Sequence, residues 1–124
     1  MKDTRPVNLD IGTMKLPITA YASITHRVSG VVLVVAAFIM LWALEKSLAS
    51  PEGFAALAAS LGSPLAKFVA WGICTALIYH SLAGVRHVVM DFGIGESLEG
   101  GILSARILFV LAVVGSLITG VALW

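Results

Sequence analysis

Polar and apolar positions along this chain separate into long blocks. Residues 28–44, 68–85 and 107–124 contain no Lys, Arg, Asp or Glu. Runs of about 17 to 18 residues cover roughly 26 Å at helical rise, and flanking turns supply the rest of a hydrocarbon core. The pattern predicts an all-α membrane protein of one domain, 1–124, with three transmembrane helices at about 22–48, 64–90 and 104–124.

Between the blocks lie start and stop signals. Residues 1–20 form a polar lead-in, and the prolines in RPVNLD and LPIT favour an extended path. In SPEGFAALAASLG, Ser50 suits an N-cap, Pro51 a first turn and Gly62 a stop. Phe54, Leu57, Ala58 and Leu61 then share one face, which predicts a short helix lying in the interface. Ser63 and Pro64 repeat the start signal. The glycines of FGIGESLEGG, residues 92–101, favour turns, so the third span is expected to begin near Ser104.

Composition agrees with a bilayer setting. Hydrophobic residues make up 59% of the chain and charged ones 12%, with mean hydropathy +0.99. A soluble domain carries about twice that charge. The net charge of +1 points to no nucleic-acid partner, and the one cysteine, Cys74, has no mate for an internal disulfide and suits a small buried hydrophobe. Six cations, Lys2, Arg5, Lys15, Arg27, Arg86 and Arg106, fall on one side of the predicted topology, and two, Lys46 and Lys67, on the other. The positive-inside bias therefore puts the N-terminus and the loop after the second span in the cytoplasm. The first 24 residues hold Asp3, Pro6, Asp10 and Pro17 and lack an apolar core, so neither a signal peptide nor an Arg- and Ser-rich presequence is expected. A bacterial inner membrane is favoured over a mitochondrial one.

Within this apolar frame, YHSLAGVRHVVMD (79–91) puts two histidines, an arginine and a carboxylate on one helix. His80 lies 13 residues beyond Lys67, about 20 Å along the helix and still inside the hydrocarbon. An ionisable group at that depth is expected to face the bundle and to serve a function. Two readings stand: a neutral histidine bonded to a neighbouring helix, or an axial ligand of haem iron. Gly72, Ala76, His80, Gly84 and His87 form one stripe, whose small residues would let a flat macrocycle, or equally another helix, lie close. His87, about 10.5 Å further on nearly the same face, cannot ligate the same iron. His26 is expected to lie too shallow. A second axial ligand should therefore come from another polypeptide, making the three helices part of a heteromeric bundle. His87 suits a haem propionate or a structural hydrogen bond.

In SITHRVSG (23–30), Ser23 and Arg27 share a helix face, with Gly30 a turn further along. Arg27 is either an anchor to lipid phosphates or, with the Ser23 hydroxyl, a donor to a quinone head group, whose carbonyls gain negative charge on reduction. Asp91 suits either an ion pair with a cation of the first span or a proton relay. Arg86, His87 and Asp91 all fall at the expected cofactor and quinone end.

Two segments, together with Arg5-Pro6-Val7, carry a family resemblance: SITHRVS (23–29) and HSLAGVRHVVMDFG (80–93). They resemble the cytochrome b556 membrane-anchor subunits of succinate dehydrogenase, and the similarity covers nearly the whole chain. The resemblance implies a complex with a flavoprotein, an iron–sulfur protein and a second small membrane anchor. It implies that His80 ligates a haem b shared with that anchor, that Ser23 and Arg27 line the ubiquinone site, and that His26 and Arg27 lie near the haem propionates. It assigns succinate oxidation to the flavoprotein, so no catalytic residue is expected here. Two alternatives remain open at this level: an anchor of a quinol:fumarate reductase, and a cofactor-free structural adaptor.

Overall fold

The computed structural model describes residues 4–124, so Lys2, counted among the N-terminal cations, lies outside the described residues. The lead-in is extended apart from a 3-10 turn at Ile11–Thr13, where the Asp10 side chain accepts a hydrogen bond from Gly12 N at 3.0 Å. Pro17 ends it. Its carbonyl accepts from Ala20 N and Tyr21 N, and helix α1 runs Ile18–Ala49.

Ser50 stops α1 with an extended backbone and caps the next helix, accepting from Gly53 N at 2.9 Å. That helix, α2, spans Pro51–Leu61. The turn between them is tight: a Cβ on Gly53 would come within 2.6 Å of the Lys46 carbonyl oxygen, so only glycine fits. Leu57 is half-buried, whereas Phe54 and Leu61 on the same predicted face are exposed. Ser63 then caps α3, Pro64–Asp91, through Ala66 N.

Helix α4 occupies Leu98–Leu123 and begins six residues before Ser104, the expected start. The loop is shorter because Ser97 caps the helix through Gly100 N, and because Gly93 and Gly95 take positive φ values of 79° and 75° to turn the chain. Gly100 and Gly101 are helical. A Cβ at Gly100 would meet the Gly95 backbone at 2.8 Å, and Gly101 is buried beside Thr19 of α1.

Helices α1, α3 and α4 are each long and apolar enough to cross a membrane. Their mutual core is built from small residues: Ala22, Ala36, Ala83, Ala105 and Ala112 are buried, with Tyr79 and Leu108 the larger members. Large apolar side chains such as Val31, Phe38, Leu117 and Ile118 point outward. In lipid, burying them would gain little, so close backbone approach and interhelical hydrogen bonds hold the helices instead. Helix α3 makes such bonds to both neighbours. Tyr79 donates to the Ala22 carbonyl of α1 at 2.8 Å, and Trp71 Nε1 to the Ser116 carbonyl of α4 at 2.9 Å. The start of α1, the end of α3 and the start of α4 lie together at one end of the bundle.

Candidate functional site

At that end the three histidines form a cluster across α1 and α3. The His26 and His80 rings stack with centroids 4.3 Å apart and planes tilted by 33°. His87 meets His26 edge-on, with centroids 5.1 Å apart. His26, eight residues into α1, therefore touches both α3 histidines. It cannot share a metal with His80 in this arrangement. Imidazoles on opposite sides of one iron, each bonded at roughly 2 Å, would have centroids about 6 Å apart. Among the described residues no group of three or more His, Cys, Asp or Glu could hold a bare metal ion.

His80 is half-buried and its Nδ1 faces oxygen. Ser29 Oγ lies 3.0 Å away and the His26 carbonyl oxygen 3.2 Å away. Ser29 is itself buried, and its hydroxyl donates to that same carbonyl at 2.7 Å. A carbonyl can only accept, and the single Ser29 proton is already used. Nδ1 must then carry the proton, which leaves the Nε2 lone pair as the donor to a ligand. Gly30 makes the approach possible, since a Cβ there would stand 3.2 Å from His80 Cε1.

The stripe of small residues on α3 is open in part. A Cβ at Gly72 or Gly84 would meet nothing within 4 Å. A groove of about 540 Å³ between the three long helices is lined by Ser29, Gly72, Ala76 and Tyr79, among others. Ser23 is half-buried and Arg27 exposed, one turn apart on α1.

A second, polar recess of about 360 Å³ brings His87 and Asp91 together with Arg86, Met90 and Glu96. Arg86 is committed elsewhere: its Nε donates to Ser104 Oγ at 2.9 Å and its guanidinium to the Gly101 carbonyl at 3.2 Å. It ties α3 to α4 rather than standing free for a cofactor. Sequence reasoning passed over Ser29, although its place three residues after His26 puts its hydroxyl over the His26 carbonyl. It also passed over Tyr79 and Glu96.

Fold and site together define an integral membrane subunit with three long spans and a histidine cluster at one end. The family model of the succinate dehydrogenase/fumarate reductase transmembrane subunit matches residues 1–119, and the chain belongs to that family. It is 37% identical to the succinate dehydrogenase cytochrome b556 subunit of Coxiella burnetii over the whole of both chains. It is 32% identical to the cytochrome b556 subunit of Paracoccus denitrificans, over 95% of this chain and 91% of that one. To the succinate dehydrogenase cytochrome b560 subunit of Reclinomonas americana it is 30% identical, over 95% and 85% respectively.

Proposed function

We propose that this chain anchors a succinate dehydrogenase in a bacterial inner membrane, ligates the iron of a haem b through His80 Nε2, and helps form the ubiquinone-reduction site. The observation that carries the reading is the orientation of His80. Its Nδ1 is held by Ser29 and the His26 carbonyl, which leaves Nε2 as the nitrogen for a ligand, and the α3 stripe that carries His80 is open at Gly84. One such donor would suit an iron already held by the four nitrogens of a porphyrin. The names of the relatives, cytochromes b556 and b560, support it. When bound, the haem supplies a one-electron store next to the quinone site.

The haem's second protein ligand would come from a second small anchor subunit, since the 4.3 Å stacking bars His26 from that role. His26 and His87 are assigned to the haem propionates or the surroundings of the quinone site. Ser23 and Arg27 supply hydrogen-bond donors to the quinone carbonyls, where fixed positive charge stabilises the negative charge that reduction builds. Asp91 and His87 share the polar recess, which supports their role as the proton donors to the reduced quinone. Electrons reach this site from a flavoprotein through an iron–sulfur subunit. No residue of this chain is expected to touch succinate.

The test is a reduced-minus-oxidised spectrum of the purified complex with His80→Leu beside the parent. Loss or alteration of the b-type absorption is expected. An unchanged haem spectrum in an assembled variant would refute ligation by His80.

A further inference from the structure

We infer that Ser29 is a positioning residue for the iron centre: its buried hydroxyl fixes the His80 tautomer and ring plane, and thereby sets the haem potential. The inference rests on the reading of His80 as an axial ligand and goes beyond it. Ser29 is 6% exposed, so the partners of its hydroxyl lie inside the protein. It donates to the His26 carbonyl at 2.7 Å and offers its lone pairs to His80 Nδ1–H at 3.0 Å. The carbonyl, 3.2 Å from the same Nδ1, adds a weaker second acceptor. Donation from Nδ1–H to these oxygens makes the imidazole more basic at Nε2, which favours the oxidised iron and lowers the potential. The ring has little freedom to choose another pose, because His26 stacks on it at 4.3 Å and Gly30 lies against Cε1. One hydroxyl on α1 therefore governs both the direction of the ligating lone pair and its strength.

The experiment uses the intact complex in detergent with Ser29→Ala and Ser29→Thr. Redox titration of the haem band and low-spin EPR g-values are read beside haem content. In Ser29→Ala the complex should keep its haem, with the midpoint potential shifted upward and the g-values displaced. Ser29→Thr, which keeps the hydroxyl, should return both toward the parent. If Ser29→Ala does not assemble, Ser29→Cys, close in volume and a poor acceptor, should give the same upward shift. Parental potential and g-values in Ser29→Ala or Ser29→Cys would overturn the inference and leave Ser29 a packing residue. A downward shift would overturn it too. His80→Leu separates the two readings. If its haem spectrum is unchanged, the ligand assignment itself has failed. If the haem depends on His80 but is indifferent to position 29, only the role of Ser29 has failed.

Discussion

Arg86 and Ser104 meet across the α3–α4 interface, with Nε donating to the hydroxyl at 2.9 Å while the same guanidinium reaches the Gly101 carbonyl at 3.2 Å. Ser104 also donates to that carbonyl at 3.1 Å, which closes a three-membered polar knot beside the end of α3. Gly101, whose carbonyl accepts both bonds, is buried beside Thr19 of α1, so the knot lies where all three helices meet at the site's end of the bundle.

Arg86→Ala should therefore act on stability before chemistry. Interhelical hydrogen bonds in membranes contribute about 0.6 to 1.7 kcal/mol each, and this residue makes two. A loss of about 1 to 3 kcal/mol is expected, with a smaller loss for Ser104→Ala and a sub-additive double variant. Thermal inactivation of the solubilised complex measures it. Wild-type thermal stability coupled to lost quinone reduction would instead make Arg86 a quinone-site residue, the place its sequence position first suggested.

That contrast shows what the sequence can and cannot carry. Three spans were legible because a bilayer imposes charge-free blocks of a length that no loop tolerates. The polar residues of 79–91 were legible because ionisable groups in such a block need a reason. Contacts between helices were not. Whether Arg86 points to a cofactor or to Ser104, and whether His26 lies level with His80, depends on how α1, α3 and α4 cross, which no single segment encodes. The start of α4 was misplaced for a related reason. Gly100 and Gly101 read as turn formers, yet they lie inside the helix, where Gly100 clears the Gly95 backbone and Gly101 is buried beside Thr19. Ser29 was hidden because a helical serine most often bonds back to its own helix, and only the neighbour on α3 gives that bond a second partner.

Gly30 offers a graded probe of the His80 pose. A methyl there would stand 3.2 Å from Cε1, closer than comfortable contact, so Gly30→Ala requires a shift of a few tenths of an ångström. Gly30→Val adds two branches and should displace the ring altogether. The expected series is a small change in the haem band for alanine and a broadened or lost low-spin signal for valine, read by optical and EPR spectra of the assembled complex. Parental spectra in Gly30→Val would show that the ring does not lie against α1.

Ser23 and Arg27 should separate from the rest of the protein in a paired assay. Neither lies in the helix core, since Ser23 is half-buried and Arg27 exposed, so their replacement should leave assembly intact. Ser23→Ala and Arg27→Leu are expected to lower succinate:ubiquinone activity about tenfold or more. That is the scale of about 1.4 kcal/mol, the order of one hydrogen bond to a developing charge. Succinate oxidation with an artificial acceptor should stay at the parental rate. Equal losses in both assays would mean misassembly, and equal retention would return Arg27 to the role of lipid anchor.

Tyr79 tests whether the site depends on the fit between α1 and α3 rather than on the cluster alone. It is the largest buried side chain near the histidines, its ring packs on Phe109 of α4 with centroids 5.7 Å apart, and its hydroxyl holds the Ala22 carbonyl, one residue before Ser23. Tyr79→Phe removes the hydrogen bond and keeps the volume, for an expected cost of about 1 kcal/mol. Tyr79→Ala also opens a cavity, for about 3 to 5 kcal/mol. Because the lost bond tethers the turn that carries Ser23, Tyr79→Phe should raise the apparent KM for ubiquinone while leaving the haem spectrum as in the parent. His80 is held by Ser29 and Gly30 about two turns further along α1, so its surroundings should not follow. Should the haem spectrum change as much as the KM, the α1–α3 contact moves as one rigid unit, and the two sites are mechanically joined.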